Sequence, residues 1–493
     1  MILDLAHRGD GLPGECDVCI LGGGPAGIVA ALEVARRRPD WSVVLLEGGG
    51  FSMPPPGELD AYVGGSTGEH PYPLAGSRLR FLGGTSNHWG GWCRPLDEED
   101  FATRSWVPLS GWPLSAAELA PWYERAATWC EIGSTEYAQA PLSQALGASI
   151  LPIEDSSLLC HKYFRFSPPT RFGRRYRDEL EQAPNLQVML HSNAVRLDWD
   201  GERVSAVQVA RADGGKAMIR AKQVVVALGG IETTRFLLAN AGSAPDSSGL
   251  ASPMLGRCFA DHFGRTPAAA ILPEKLQYAR SDHPSGAIMP VLALRPEAQE
   301  SLGTGDFCLT LVPQATPGNL SSDYANNRAL GFRDGGYWRY RLQFIFEPSP
   351  NPDSRIVLTD ERDRFGVPRL RLDWRIRPSD FRAGVASLRE IGAELGSLGL
   401  GRLRVFDESE YAAQMPGLGL HHMGSARMAG NSEGGVVDPQ CRVHGTENLH
   451  VASSAVFPAF GFSNPTLTIV ALAARLAAQL APDPTAQVAG RTG

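Results

Sequence analysis

At 493 residues the chain is long enough for two large domains or three average ones, and 43% hydrophobic with 20% charged residues is the composition of an ordinary globular protein. A formal net charge of −7 disfavours nucleic acid or an anionic membrane surface as a partner. No run of about 18 apolar residues exists to cross a bilayer, the longest apolar stretch being interrupted by Arg475.

Glycine is abundant, 55 residues where the usual share of about 7% gives roughly 35. That excess points to tight turns and to places where backbone meets a ligand. The eight cysteines have no metal-ligand spacing, so no metal site is expected. One CxxC, Cys16-Asp17-Val18-Cys19, lies in what reads as a buried strand, where thiols are core packing. Scattered free cysteines fit a reducing compartment, and the N-terminal MILDLAHRGDGLPGE carries acids and no apolar run, unlike a secretory signal. A cytoplasmic location is expected, with export alongside a partner subunit left open.

The first sixty residues carry the clearest local signal. DVCIL (17–21) is a short apolar run followed at once by Gly22-Gly23-Gly24-Pro25-Ala26-Gly27 and a helical IVAALEVARRR. Here GxGxxG (Gly22, Gly24, Gly27) has its required setting, after a strand and opening a helix, so backbone amides meet a pyrophosphate at the positive helix end. A second strand, SVVLLE, ends in Glu47, 20 residues after Gly27, where an acid accepts hydrogen bonds from an adenosine ribose. These residues predict a dinucleotide site without deciding between FAD and NAD.

A second glycine cluster follows in LRFLGGTSNHWGGWC (79–93). Gly83, Gly84, Thr85, Ser86 and Asn87 form a polar turn too long for a simple hairpin, suited to binding a cofactor's phosphates and ring edges. His88 either faces a ring system or caps the turn. Six of the ten tryptophans (89, 92, 106, 112, 122, 129) fall here and in the next forty residues, as core packing or as ligand platforms. Ser115 and Glu118 have capping-box spacing for a helix.

Residues 186–210 alternate like paired strands around Asp200-Gly201, and QVVVALGGIETTRFLLANAG repeats the strand, glycine turn and helix of the N terminus. The arginine-rich TRFGRRYR (170–177) offers either a contact for an acidic substrate or, the commoner case for such a run, a solvated face. From about 262 to 414 long alternating strands take over, including YWRYRLQFIFE and RIVLTDERDRFGVPRLRLDW. They predict a large antiparallel sheet covered by the helix FRAGVASLREIGAELGSLG. The nucleotide domain is therefore expected to be discontinuous, over 1–100, 186–261 and 415–493, with a substrate domain over 101–185 and 262–414. The fold class is α/β with α+β: a Rossmann-like domain beside a helix-covered antiparallel sheet.

Two histidines stand side by side in GLHHMGSARM (419–428), in a chain with only 11. Further on, Asn464 precedes Pro465 and Thr466 at the start of a helical apolar run, a signature in which asparagine caps the helix. The same helix end, aimed at a redox ring, would stabilise developing negative charge.

Together these motifs resemble the glucose-methanol-choline (GMC) oxidoreductases over nearly the whole chain. The resemblance runs through GGGPAG with Glu47, the loop at 83–88, VVVALGGIETTRFLL, LGRCFADH (255–262) and EPSPNPDSRIVL (347–358). It is most specific at HxxGSxRM, VVDPQCRVHGTENLHVASS and SNPT. It implies FAD as cofactor, His421 and Asn464 as the catalytic pair, and FAD contacts that include Ala194, Val195, Ser453, Pro465 and Thr466. His421 and His422 leave opposite faces of an extended segment, which makes His422 a packing or substrate-contact residue. The motifs look most like pyranose oxidases and bacterial flavin-dependent sugar and glycoside dehydrogenases. In pyranose oxidases a histidine at the position of His88 is bonded to the flavin; the GGW that follows His88 here departs from that pattern.

The expected activity is oxidation of a secondary alcohol of a sugar or glycoside to a ketone, with His421 as base and hydride transfer to the flavin. Alternatives are a GMC enzyme for an aminoglycoside, steroid or aryl alcohol, a flavin-dependent lyase, or the large subunit of an electron-transfer complex. Oxygen, a quinone and a cytochrome all remain open as electron acceptors, as do a homo-oligomer and an accessory subunit.

Overall fold

The computed structural model describes the chain apart from residues 7–10, 56–61, 69–70, 139–145, 147–149, 212–213, 265–266, 314–332, 335–336, 408–416 and 483–493. The boundary expected near 414 falls outside the described residues.

Glu15–Leu21 and Val43–Leu46 pair in parallel, joined by the helix Pro25–Arg37. They sit inside a sheet of eight described strands. Its order is Ile2–Asp4, Leu186–Leu190, Val43–Leu46, Glu15–Leu21, Lys216–Val226, Arg203–Arg211 and Ser192–Asp200. Leu449–Val451 pairs in parallel with the last three residues of Lys216–Val226. The central strands read as unbroken apolar runs because both faces are covered: Val18, Cys19, Ile20 and Leu21 are fully buried. Pro25–Arg37 is buried nearly all round, from Ala26 to Ala35, and packs on the C-terminal helix Thr466–Leu480. Truncating Ile20 to alanine in this core would cost about 2–5 kcal/mol.

Leu186–Leu190 does not join the hairpin expected over 186–210. It pairs in parallel with Val43–Leu46, and the hairpin is confined to Ser192–Asp200 and Arg203–Arg211. Alternation alone does not separate two consecutive strands that pair with different partners.

The second sheet holds ten described strands. Its main path is Arg402–Val405, Ala268–Leu272, Tyr337–Phe346, Phe307–Pro313, Ile288–Leu294, Leu159–Phe166 and Trp92–Cys93, antiparallel throughout. Phe263–Gly264 and Gly417–Leu418 attach at its edge. Pro378–Ser397 buries Leu388, Ile391 and Leu395 in the core of this sheet. Arg355–Arg362 and Pro368–Trp374, expected in the same sheet, instead form a small separate one with Gly65–Gly68.

The capping box at Ser115 forms, with Glu118 N donating to Ser115 Oγ at 3.2 Å and Ser115 N to Glu118 Oε2 at 2.8 Å. Three of the six clustered tryptophans are packing residues, their indole N–H groups satisfied inside the protein: Trp106 by Thr304 O, Trp112 by Ala459 O and Trp129 by Glu33.

Candidate active site

The two glycine clusters meet. Gly22 has φ +109° and its missing Cβ would lie 2.4 Å from Ala227 O, so only glycine lets the turn pass the neighbouring strand. Gly83 N donates to Gly23 O at 2.7 Å, and a Cβ on Gly84 would sit 3.2 Å from Gly24 Cα, so the second loop lies directly over the first. Ser86 Oγ donates to Gly83 O, and Arg171 Nη1 donates to Ser86 O and Trp89 O at 2.8 and 3.0 Å. Thus Arg171, in a stretch expected to be solvated, pins this loop.

Both loops open onto one cavity of about 860 Å³, near the upper end of the ~300–1,000 Å³ typical of ligand sites. Of the residues expected at a cofactor, Gly22, Gly24 and Glu47 line it, as do Gly84, Thr85, Ser86 and His88. So do Ala194 and Val195 on one wall and Ser453, Pro465 and Thr466 on another. Gly27, Gly83 and Asn87 do not. A Cβ on Gly27 would lie 1.8 Å from Gly22 O, so this glycine allows the helix to pack against the turn. Gly83 makes the bond between loops, and Asn87 Nδ2 donates to Leu82 O and Gly84 O, holding the loop's shape.

The cavity suits FAD in its donors and its shape. No heavy atom lies within 4 Å of a Cβ built on Gly24, which leaves room beside the first turn of Pro25–Arg37 for a pyrophosphate. The Glu47 carboxylate is buried and fixed by Gly23 N at 2.9 Å and Gly49 N at 2.8 Å, ready to accept from a ribose. The opposite end is lined by His421, Asn464 and the start of the C-terminal helix.

At that end the structure brings together residues far apart in sequence. Asn464 Nδ2 lies 3.0 Å from His421 Nε2, while Asn464 Oδ1 is buried with no partner. The side chain therefore does not cap the helix. Pro465 occupies the cap position without a side-chain bond, and Asn464 turns into the site. His421 Nδ1 lies 2.9 Å from His262 Nδ1, and His262 Nε2 lies 2.7 Å from Gly461 O. A carbonyl only accepts, so His262 carries its proton on Nε2 and presents a bare Nδ1. His421 must then donate from Nδ1, which leaves Nε2 as a lone pair facing Asn464 and the cavity.

The loop holding His421 is itself held. Leu420 adopts φ +56°, a left-handed conformation rare for a residue with a branched side chain. The Asp261 carboxylate secures it by accepting from Leu420 N at 3.0 Å, His421 N at 2.7 Å and Tyr72 OH at 2.8 Å. Gly419 is needed beside them, since its Cβ would lie 2.7 Å from His421 Nδ1. His422 stacks on Phe259, with ring centroids 6.3 Å apart, and it too lines the cavity. Beneath Asn464, the fully buried Glu347 accepts from Phe460 N and Gly461 N at 3.0 Å each and pairs with Arg104. This fixes the carbonyl that orients His262.

Burial disfavours the imidazolium, and His421 is held well below the ordinary histidine value, with His262 and His422 adding to the effect. Burial takes His262 down to about 4 and His422 to about 3. His88 is lowered by burial and by Arg171. Asp261 is pushed up to about 7 by burial, against four donors that favour its charge: the backbone amides of His421, Leu420 and His262 and the Tyr72 hydroxyl. The site is thus built of neutral imidazoles at neutral pH.

The sequence motifs assign no site role to Asp261, His262, Tyr72 or Glu347. Adjacent Asp261 and His262 in the apolar stretch CFADHFG were a visible signal, two titratable groups where burial requires partners. Glu347 opens the motif EPSPNPDSRIVL, which by itself gives it no role at the site, and nothing local in the sequence marks Tyr72.

A glycine-turn nucleotide fold whose cavity also holds a buried histidine fits a dinucleotide-dependent oxidoreductase. Residues 17–257 match the FAD dependent oxidoreductase family and residues 350–473 the GMC oxidoreductase family. The chain is 26% identical to paromamine 6'-oxidase of Streptomyces fradiae, over 95% of this chain and 91% of that one. It is 24% identical to C-glycoside 3-oxidase of Microbacterium trichothecenolyticum, over 97% and 98%. Among solved structures, a formate oxidase superposes with a TM-score of 0.62 at 18% identity, covering 96% of this chain and 99% of that one, a likeness of fold. Residues 350–473 thus carry a GMC oxidoreductase domain and residues 17–257 an FAD dependent oxidoreductase domain, and FAD is the cofactor.

Proposed function

We propose that the protein oxidises a secondary alcohol of a neutral sugar or glycoside to the ketone. The observation that carries this is the bare Nε2 of His421, 3.0 Å from Asn464 at the end of the cofactor cavity. His421 Nε2 takes the hydroxyl proton as a neutral base, and Asn464 holds the same oxygen by donating from its amide. FAD held by the Gly22–Gly27 turn and Glu47 would supply the hydride acceptor; with the proton taken by His421, the alcohol would lose one hydride and one proton, two electrons and two protons in all. The chain's own contribution is positioning. His262, Gly461 and Glu347 fix the tautomer, while Asp261 and Tyr72 fix the loop.

The sugar class is supported by the relatives, whose names specify paromamine and C-glycoside as substrates. Neutrality is supported by the lining. Its described acids are all satisfied by protein, Glu47 by backbone amides, Glu232 by Arg78 and Arg235, and Asp363 by Arg235. Each is already engaged within the protein, which favours a neutral substrate; an aminoglycoside, as in the relative named for paromamine, is the second reading. The GGW after His88 favours non-covalent FAD, which acid precipitation reads as flavin in the supernatant.

The purified protein should be yellow and bleach anaerobically with a competent sugar and no nicotinamide. His421→Ala should keep the colour and lose about 10²- to 10⁴-fold in reduction rate. Reduction of that variant at the parental rate would remove His421 as the base.

A further inference from the structure

Thr310 and Gln343 face each other across the strands Phe307–Pro313 and Tyr337–Phe346, and both line the active-site cavity. On the same face the preceding pair, Cys308 and Ile345, belongs to an apolar cluster with Phe164, Phe166, Phe462 and Trp92. Two polar side chains thus interrupt an apolar wall. Thr310 is 4% exposed, and its Oγ1 is buried with no hydrogen-bond partner. The Gln343 side chain makes no hydrogen bond to any described residue; its Nε2 lies over Gly264, 3.3 Å from where a Cβ would be. Gly264 is two residues from His262, whose ring meets His421, and Gln343 lines the same cavity as His421 and Asn464.

An unpartnered buried hydroxyl is destabilising, whereas valine would fill the same volume without that cost, so a threonine kept there needs an explanation. We propose that Thr310 and Gln343 form a recognition subsite for a hydroxyl that does not react, adjacent on the substrate to the one His421 deprotonates. A hydroxyl and a carboxamide each offer a donor and an acceptor without charge, which matches a neutral vicinal diol. This deepens the sugar-oxidising reading of the site and rests on it.

The test uses holoenzyme under anaerobic conditions, following flavin reduction by methyl β-D-glucoside, trans-1,2-cyclohexanediol and cyclohexanol. Thr310→Val and Gln343→Leu should each lower kcat/KM for the glucoside and the diol by about 3- to 10-fold, mainly through KM. Cyclohexanol, with no second hydroxyl, should change by less than twofold. In a His421→Ala background, which prevents turnover, Thr310→Val should weaken glucoside binding by a similar factor, read from the flavin difference spectrum. An equal loss on all three alcohols would show a structural role and overturn the subsite, as would no loss on any. If the glucoside and the diol fail to bleach the parental flavin while cyclohexanol succeeds, the sugar reading falls and the subsite with it. If all three bleach it and only the variants behave as the parent, the subsite alone falls.

Discussion

Replacing His262 by leucine tests whether the reactive tautomer of His421 is imposed by its neighbour. In the parent, Gly461 O holds the His262 proton on Nε2 at 2.7 Å, and His262 Nδ1 accepts from His421 Nδ1 at 2.9 Å. Leucine removes that acceptor and leaves the His421 Nδ1–H without a partner, a penalty of about 1–3 kcal/mol. The other tautomer escapes the penalty. With the proton on Nε2, His421 can donate to Asn464 Oδ1, an atom that has no partner in the parent and needs only an amide turn to reach it. At RT of about 0.6 kcal/mol the productive form should fall about 5- to 150-fold, and the rate of anaerobic flavin reduction with it. Asparagine at position 262 places an amide oxygen where Nδ1 was and should recover part of the loss, which a purely structural defect would not allow. Flavin content and melting temperature serve as controls. Parental reduction rates in His262→Leu would refute the tautomer chain.

Three further outcomes are expected. Asn464→Asp sets a carboxylate 3.0 Å from His421 Nε2 and favours the imidazolium; the base works only when neutral, so the acid limb of kcat/KM should move to higher pH by about 1–3 pH units. Gly24→Ala meets nothing within 4 Å in the protein and has an ordinary φ of −80°, so the melting temperature of FAD-free protein should barely change while FAD affinity falls; retained affinity would mean that no pyrophosphate approaches there. His450 is buried away from the site and taken down to about 4 by burial first and Arg442 second. As pH falls below about 6.5 the unfolded chain binds the proton and the native state does not, so the parent should lose about 2 kcal/mol relative to His450→Gln between pH 7 and pH 5 in urea unfolding.

The nucleotide turn was legible because its causes are local: a strand, glycines and a helix within thirty residues, each shaped by its neighbours in sequence. His421 and Asn464 could be named from their motifs, but Asn464 was ambiguous. Its position before Pro465 is that of a cap, and only the packing of His421 against it shows that the amide faces the cavity. Strands 355–362 and 368–374 alternate like those of the large sheet, and alternation does not encode which sheet a strand joins.

The sequence by itself determined the cofactor turn, the layered α/β and antiparallel character and the histidine to suspect, because backbone conformation and burial pattern are written in short windows. Tertiary structure alone decided which proton that histidine carries. The deciding contacts, from Gly461 through His262 to His421 and from Asp261 to the loop backbone, span about 160 to 200 residues. Hydrogen-bond direction depends on which groups are brought within 3 Å of each other, and only the folded chain sets that.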